Sequence, residues 1–345
     1  MSSSLRVSLL HATVSRRGFL VGTGAGVAGI LAAGHAPAFA QAAPKKLVFA
    51  HITSTDSAAD AFAWFAKEVT ARSKGALDVQ FFGGTLISKE LEIMNAVKAG
   101  NIAIGNPAGA AATVFPEMAV FLVPYLVSSY AQAYTLFNGK VGDQLDRGFQ
   151  DKYGLKVLCF YDFGFRHFWN SKRPIREPKD LRGLKIRVQL AKVFADTING
   201  LGGNAVPMPW GEVIPAAEQK VIDGADLPII NILLLKAYEV SKYCSMTYHN
   251  YGPTVNVINL AVWKSLTPDE QKLILEVSRA AQEKIRQATE SVDTLAKAKE
   301  LLEPKGMIVN AADLEAFRRV AQDKIWPEYR QANAALWDQI VSTKA

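Results

Sequence analysis

Cysteine is scarce in this chain: 345 residues carry only Cys159 and Cys244. Cys159 lies in the apolar run KVLCF, where a small buried hydrophobe is the plain reading, and pairing does not follow from sequence alone. The expectation is two unpaired, buried thiols. Catalytic signatures are missing as well. Beyond the first forty residues there is no G-x-S-x-G, H-E-x-x-H, C-x-x-C or Walker sequence. His51, His167 and His249 are scattered singly, without metal-ligand spacing. An enzyme is therefore the weaker reading, and neither a metal site nor a cofactor is expected. Runs of Lys and Arg are lacking too. The formal charge of +7 comes from 39 basic and 32 acidic residues. Without Arg6, Arg16 and Arg17, which belong to the N-terminal segment, it falls to +4, so no nucleic-acid partner is expected.

What is present begins with that segment, SRRGFLVGTGAGVAGILAAGHAPAFA. Two arginines, an uncharged stretch from Gly18 to Gly34 and the Ala38-Phe39-Ala40 tripeptide follow the order of a secretory signal. Ser15-Arg16-Arg17-Gly18-Phe19-Leu20 resembles the twin-arginine export signal. The uncharged run is shorter than the ~20 residues a membrane span needs. Residues 1–40 are thus expected to be a removable twin-arginine signal, and the mature chain to work in the periplasm with no stable membrane insertion. Gly24-Ala25-Gly26-Val27-Ala28-Gly29 matches a dinucleotide fingerprint, but it lies inside this signal rather than between a strand and a helix, and carries no weight.

With 49% apolar residues the rest can build real cores. From Lys45 onward short apolar runs alternate with helical stretches: LVFAHI, a helix over about 58–74, LDVQFF, a helix over about 88–99, then IAIGNPA. The alternation continues to about residue 260 and argues for α/β architecture. ELEIMNAVKAGNIAIG from Glu90 echoes WGEVIPAAEQKVIDGA from Trp210 at a constant offset of 120, which suits two similar lobes but also arises by chance in such helices. Thr267-Pro268-Asp269-Glu270 then supplies a cap, a Pro at the first helical position and a Glu three residues on. Nothing interrupts the chain before Pro304, so one helix of about 35 residues, roughly 50 Å, is expected to brace both lobes.

Two segments concentrate unusual chemistry. In LRGLKIRVQL, period two places Leu184, Ile186, Val188 and Leu190 on one face and Lys185, Arg187 and Gln189 on the other. If the second face is not open water, something anionic should meet Arg187. In FYDFGFRHFWNSKRPI, Arg166 sits among Phe163, Phe165, His167, Phe168 and Trp169. A planar guanidinium can donate two parallel hydrogen bonds to a carboxylate, so convergence of Arg166 and Arg187 on one carboxylate is the favoured reading. A cation-π contact or a structural ion pair competes for Arg166.

LRGLKIRV, followed by LGGNAVPMPWGEVIPAAEQKVIDGADLP, resembles the signature of the DctP-type solute receptors of tripartite ATP-independent periplasmic (TRAP) transporters. KKLVFAHITS, AVKAGNIAIG, FLVPYLV, GFRHFWNSKRPI and the helix after LTPDEQ extend the likeness along the chain. The resemblance implies a two-lobed α/β periplasmic binding protein fold, with hinge strands and a long helix spanning both lobes. Lobe I would be 41–163 plus 251–292, and lobe II 164–250 plus 293–345. It also implies an organic acid bound in the cleft and passed to a membrane-integral permease. Arg187 matches the arginine that pairs with the ligand carboxylate, Arg166 a second arginine, and Trp210 an aromatic beside the ligand. His51, Glu90, Asp226 and His249 complete the expected ligand set.

Where the family often has polar groups, this chain has Leu190 and Leu227, which remove hydrogen-bonding partners and add apolar wall. With Phe163, Phe165, Trp169 and Trp210 they suggest an apolar or aromatic monocarboxylate, such as a 2-oxo or hydroxy acid. A C4-dicarboxylate is the alternative if those two leucines point away from the ligand, and a periplasmic enzyme on the same fold is a further one.

Overall fold

The computed structural model describes residues 43–87 and 89–344; the expected export signal lies outside them. Among these described residues, eleven strands form two sheets. They are β1 (Lys45–His51), β2 (Leu77–Gly83), β3 (Ile104–Gly105), β4 (Leu155–Phe165), β5 (His167–Asn170), β6 (Lys185–Val188), β7 (Asn204–Pro207), β8 (Gly224–Leu227), β9 (Tyr243–Met246), β10 (Tyr251–Asn259) and β11 (Ile308–Ala311). The first sheet runs β2-β1-β3-β10-β4 and the second β11-β9-β5-β8-β6-β7. In the first, β1 lies parallel to β2 and β3, while β10 is antiparallel to β3 and β4. Every residue of β10 is buried, because helices cover both faces of that sheet and no polar alternation is required.

Local chemistry sets the helix boundaries. Asp56 caps the Ser57–Arg72 helix by accepting from the Ala59 amide at 2.6 Å. Thr267 and Glu270 form the reciprocal capping box expected from their spacing. The helix they start ends at Val292, however, after 25 residues rather than about 35. Asp293 breaks it: one carboxylate oxygen lies 2.6 Å from His167 Nε2, and the other accepts from Tyr130 at 2.5 Å and from the Phe165 amide at 3.1 Å. Thr294 then caps a separate helix, Leu295–Leu302. The first helix packs on β4 and on the Ser57–Arg72 helix, and also reaches the short Ile229–Leu234 helix on the second-sheet side.

The chain crosses between the sheets at three places. Arg166 alone separates β4 from β5, residues 247–250 separate β9 from β10, and Asp293 follows the broken helix. The first two crossings are tied together by Arg166 N to Asn250 O, 2.8 Å, and His249 N to Arg166 O, 3.2 Å. C-terminal helices touch both sides, through Trp326 to the Pro124 carbonyl, Gln132 to the Ile340 carbonyl and Tyr329 to Asp196. Cys159 in β4 and Cys244 in β9 are buried and unpaired, and burial pushes each thiol up to about 12.

The echo at offset 120 falls on like elements. Glu90–Lys98 leads into β3, and Val213–Glu218 leads into β8 of the other sheet. In β8, Gly224 stands opposite Asn170. A Cβ there would overlap the Trp169 carbonyl oxygen and sit 2.7 Å from the Asn170 Cα. Because that obstacle is backbone, Gly224→Ala is expected to lower stability by about 2–4 kcal/mol. Urea unfolding checks this; a free energy within about 0.5 kcal/mol of wild type, the size of an ordinary surface change, would show that the two strands can separate to admit a methyl group.

Candidate ligand-binding cleft

A cavity of about 290 Å³ opens between the two sheets. On the first-sheet side its wall is built from Ile52, Thr53 and Asp56 after β1, Lys89–Glu92, Ala108–Ala110, Thr113 and Phe163. The other wall comes from Arg166, Arg187, Gln189, Leu190, Met208, Pro209, Trp210, Leu227, Asn231 and Leu234.

Arg187 is the centre of the second wall. It lies in β6, is 2% exposed, and reaches the cavity from a strand with neighbours on both sides. Its Nε and Nη2 donate to the Met208 carbonyl at 3.1 and 2.8 Å. Its Nη1 is buried and has no hydrogen-bond partner among the described residues. Burial and then the charge of Arg166 bring its pKa down to about 10, which still leaves it protonated at neutral pH. A buried cationic N–H without an acceptor is costly, and an anion in the cavity would relieve it.

Arg166 is placed differently from Arg187. Its Nε meets Asp226 Oδ2 at 2.6 Å and its Nη2 meets Oδ1 at 3.0 Å, and Nη2 also donates to the Asp226 carbonyl. The guanidinium lies 4.8 Å from the Phe194 ring centre. The competing readings of an ion pair and a cation-π contact therefore both describe it, and its charge is matched before any ligand arrives. Asp226 in turn contacts His249 Nε2 at 3.4 Å, and His249 stacks on Phe168 with ring centres 4.3 Å apart. Burial opposes ionisation of Asp226, but Arg166 and His249 outweigh it and hold the carboxyl near 2.

Of the residues expected at the ligand, Arg187, Arg166, Trp210, Leu190, Leu227, Phe163 and Glu90 line the cavity. Asp226, His249, His51, Phe165 and Trp169 do not line it. Asp226 and His249 stand behind Arg166. His51 is 1% exposed, held between Asn106 at 3.0 Å and Asp56 at 3.2 Å, so it supports Asp56 rather than facing the cavity. Phe165 packs among Tyr130, Tyr248 and Tyr251. Gly164, at φ 91, interrupts the period-two pattern between it and Phe163. Trp169 is enclosed in the core of the second sheet.

Leu190 also corrects the reading of β6: the strand ends at Val188, and Leu190 lies beyond it, 54% exposed at the cavity mouth rather than in line with Leu184, Ile186 and Val188. Several lining residues escaped the sequence. Asp56 carried a visible capping pattern that gave no hint of a cavity. Asn231 lies in the apolar segment PIINI and offered no signal at all. Gln189 was visible on the face of Arg187 without being assigned a role.

Two lobes joined at three crossings, with a buried arginine whose Nη1 lacks a partner lining the cleft between them, define a solute-binding protein. Residues 49–332 match the family model for bacterial extracellular solute-binding protein family 7, DctP, and the chain belongs to that family, the solute receptors of TRAP transporters. It is 34% identical over 245 residues to the 2,3-diketo-L-gulonate-binding periplasmic protein YiaO of Escherichia coli K12, covering 69% of this chain and 73% of that one. A TRAP periplasmic solute-binding protein from Bordetella, with density assigned to pantoate, superposes with a TM-score of 0.80 at 27% identity, over 87% of this chain and 100% of the other. A counterpart from Sulfurospirillum deleyianum with bound succinate gives 0.78 at 26% identity, over 88% and 100%.

The Arg166–Asp226 pair generates a test. A carboxyl held below its unfolded value adds stability above about pH 4, and that stability is lost as pH falls toward 2. Asp226→Asn is expected to leave Arg166 buried and unpaired, at a cost of about 3–5 kcal/mol at pH 7, and to shrink the stability lost between pH 4 and 2. Urea midpoints of both proteins across that range provide the measurement; equal acid sensitivity would remove the pair from the account.

Proposed function

We propose that the mature chain captures a small organic acid in the periplasm and presents it to the membrane-integral subunits of a TRAP transporter. The carrying observation is the buried, unpartnered Nη1 of Arg187. The ligand carboxylate accepts from it, and Arg166, already neutralised by Asp226, contributes a hydrogen-bond donor more than a net charge. On this reading the protein binds and releases its ligand unchanged, rather than acting as an enzyme. Residues 1–40 would direct export through the twin-arginine route. Among the described residues no helix is long and apolar enough to cross a membrane.

The proposed ligand is a monocarboxylate with an apolar or aromatic body, such as a 2-oxo or hydroxy acid. Phe163, Leu190, Trp210, Leu227 and Leu234 supply apolar wall, and apolar area removed from water contributes about 25 cal/mol per Å². Opposite Arg187, the first-sheet wall carries Asp56, Glu90 and Glu92 with Lys89, an arrangement unfavourable to a second carboxylate. The pantoate of the Bordetella relative is a branched hydroxy monoacid of this kind. The succinate and 2,3-diketo-L-gulonate of the other two favour a C4-dicarboxylate or a sugar acid as the alternative. The lobes would close about the three crossings, with 41–163 plus 251–292 moving against 164–250 plus 293–345.

Acids released from the denatured protein can be identified by mass spectrometry, and a thermal-shift panel of apolar monoacids and length-matched diacids then ranks the classes. Apolar monoacids should stabilise the protein most; tight binding of succinate or malate without any response to monoacids would overturn the ligand class. Arg187→Ala is expected to weaken binding of the strongest acid by about 2–5 kcal/mol, and Arg187→Lys to restore little of it, because an ammonium lacks the planar fork. Calorimetric affinities of either variant within about threefold of wild type, well under 1.4 kcal/mol, would remove the carboxylate from Arg187.

A further inference from the structure

We infer that Gln189 is a ligand-binding residue, seated on Gly109 of the opposite wall, and that it selects acids bearing a hydroxyl or keto oxygen close to the carboxylate. The inference rests on the proposed carboxylate at Arg187 but not on the apolar character of the ligand. Gln189 follows Arg187 by two residues and stands just past the end of β6. Both line the cavity. The side-chain amide of Gln189 makes no hydrogen bond among the described residues, although it is half-buried and offers donors and an acceptor. It can donate to a keto oxygen or accept from a hydroxyl, and an apolar substituent at that place would leave it unsatisfied.

Gly109 fixes where the amide sits. A Cβ on Gly109 would overlap Gln189 Nε2 and come within 2.9 Å of its Cδ. The glycine lies in the first-sheet wall, just after Ala108, which holds a left-handed φ of 40 while its carbonyl accepts from Thr254 at 2.8 Å. The loop is therefore anchored from below, and the bare face of Gly109 leaves room for the amide between the two walls. A methyl group there would move the amide off its seat. Gly109 itself lines the cavity, and toward Gln189 it acts as a positioning residue.

The test uses two matched pairs: 2-hydroxy-3-methylbutanoate with 3-methylbutanoate, and malate with succinate. Affinities are measured by calorimetry on the wild type, Gln189→Leu, Gly109→Ala and Gly109→Ala/Gln189→Ala. In whichever pair binds, wild type should favour the hydroxy acid by about tenfold, one good hydrogen bond, and Gln189→Leu should abolish that preference while leaving the deoxy acid within about threefold. Gly109→Ala should also lose the preference. The double variant should retain the fold and bind no worse than Gln189→Ala measured beside it, because the obstructed side chain is gone. Equal loss of both acids of a pair in Gln189→Leu, or no hydroxyl preference in wild type, overturns the role of Gln189. Additive losses in the double variant overturn its seating on Gly109. If only malate and succinate bind, the apolar ligand class fails while the Gln189 comparison is still read from that pair; binding of neither pair overturns both.

Discussion

The Met208 carbonyl holds two nitrogens of Arg187 and leaves the third, Nη1, buried without a partner among the described residues, on a side chain that lines the cleft. On the proposed reading, that division would convert a buried cation from a liability into a recognition element. The guanidinium cannot swing away, because both Nε and Nη2 are engaged, and it cannot neutralise itself, because its pKa stays near 10 even after burial. What remains is a desolvated, positively charged Nη1 amino group at a fixed place. Much of the surrounding structure serves to keep it there. β6 is flanked by β7 and β8, and the Met208 amide donates to the Val188 carbonyl at 3.1 Å, so the turn carrying the acceptor is tied to the strand carrying the arginine.

The second arginine shows how the same residue type can take another task. Arg166 lies at a crossing between the sheets, and its carboxylate partner comes from the end of β8. His249, from the second crossing, meets the same carboxylate. The third crossing is joined to the first by Asp293, which bonds His167 and the Phe165 amide. Buried polar groups thus link all three crossings, and such networks specify a geometry more than they add stability. Arg166 and Arg187 line the same cavity, so a ligand on Arg187, as proposed, would lie beside this network and connect the cleft to the segments where the lobes are joined.

Much of this was legible in the sequence, for identifiable reasons. Arg187 was found because period two in KIRVQ separates apolar from cationic positions, and the capping box at Thr267 fixed the start of the long helix. Its end was hidden, because Asp293 breaks the helix through Tyr130, Phe165 and His167, partners more than a hundred residues away. The aromatic cluster around Arg166 misled in another way. Neighbours in sequence were taken for neighbours in the site, but Gly164 turns the chain between Phe163 and Phe165, and Trp169 enters the core of the second sheet. The period-two pattern that included Leu190 stops two residues earlier, at Val188. Both arginines line the cavity, but Asp226, expected at the ligand, meets Arg166 instead, a pairing that the sequence did not signal.

The central claim is that the free nitrogen of Arg187 is the anchor of the ligand. A crystal structure of the protein with its co-purified or added acid tests it most directly. The account predicts a carboxylate oxygen within about 3 Å of Arg187 Nη1, with the Met208 hydrogen bonds intact. A ligand held by other groups of the cleft, with Nη1 still unpartnered or bonded only to water, would contradict it.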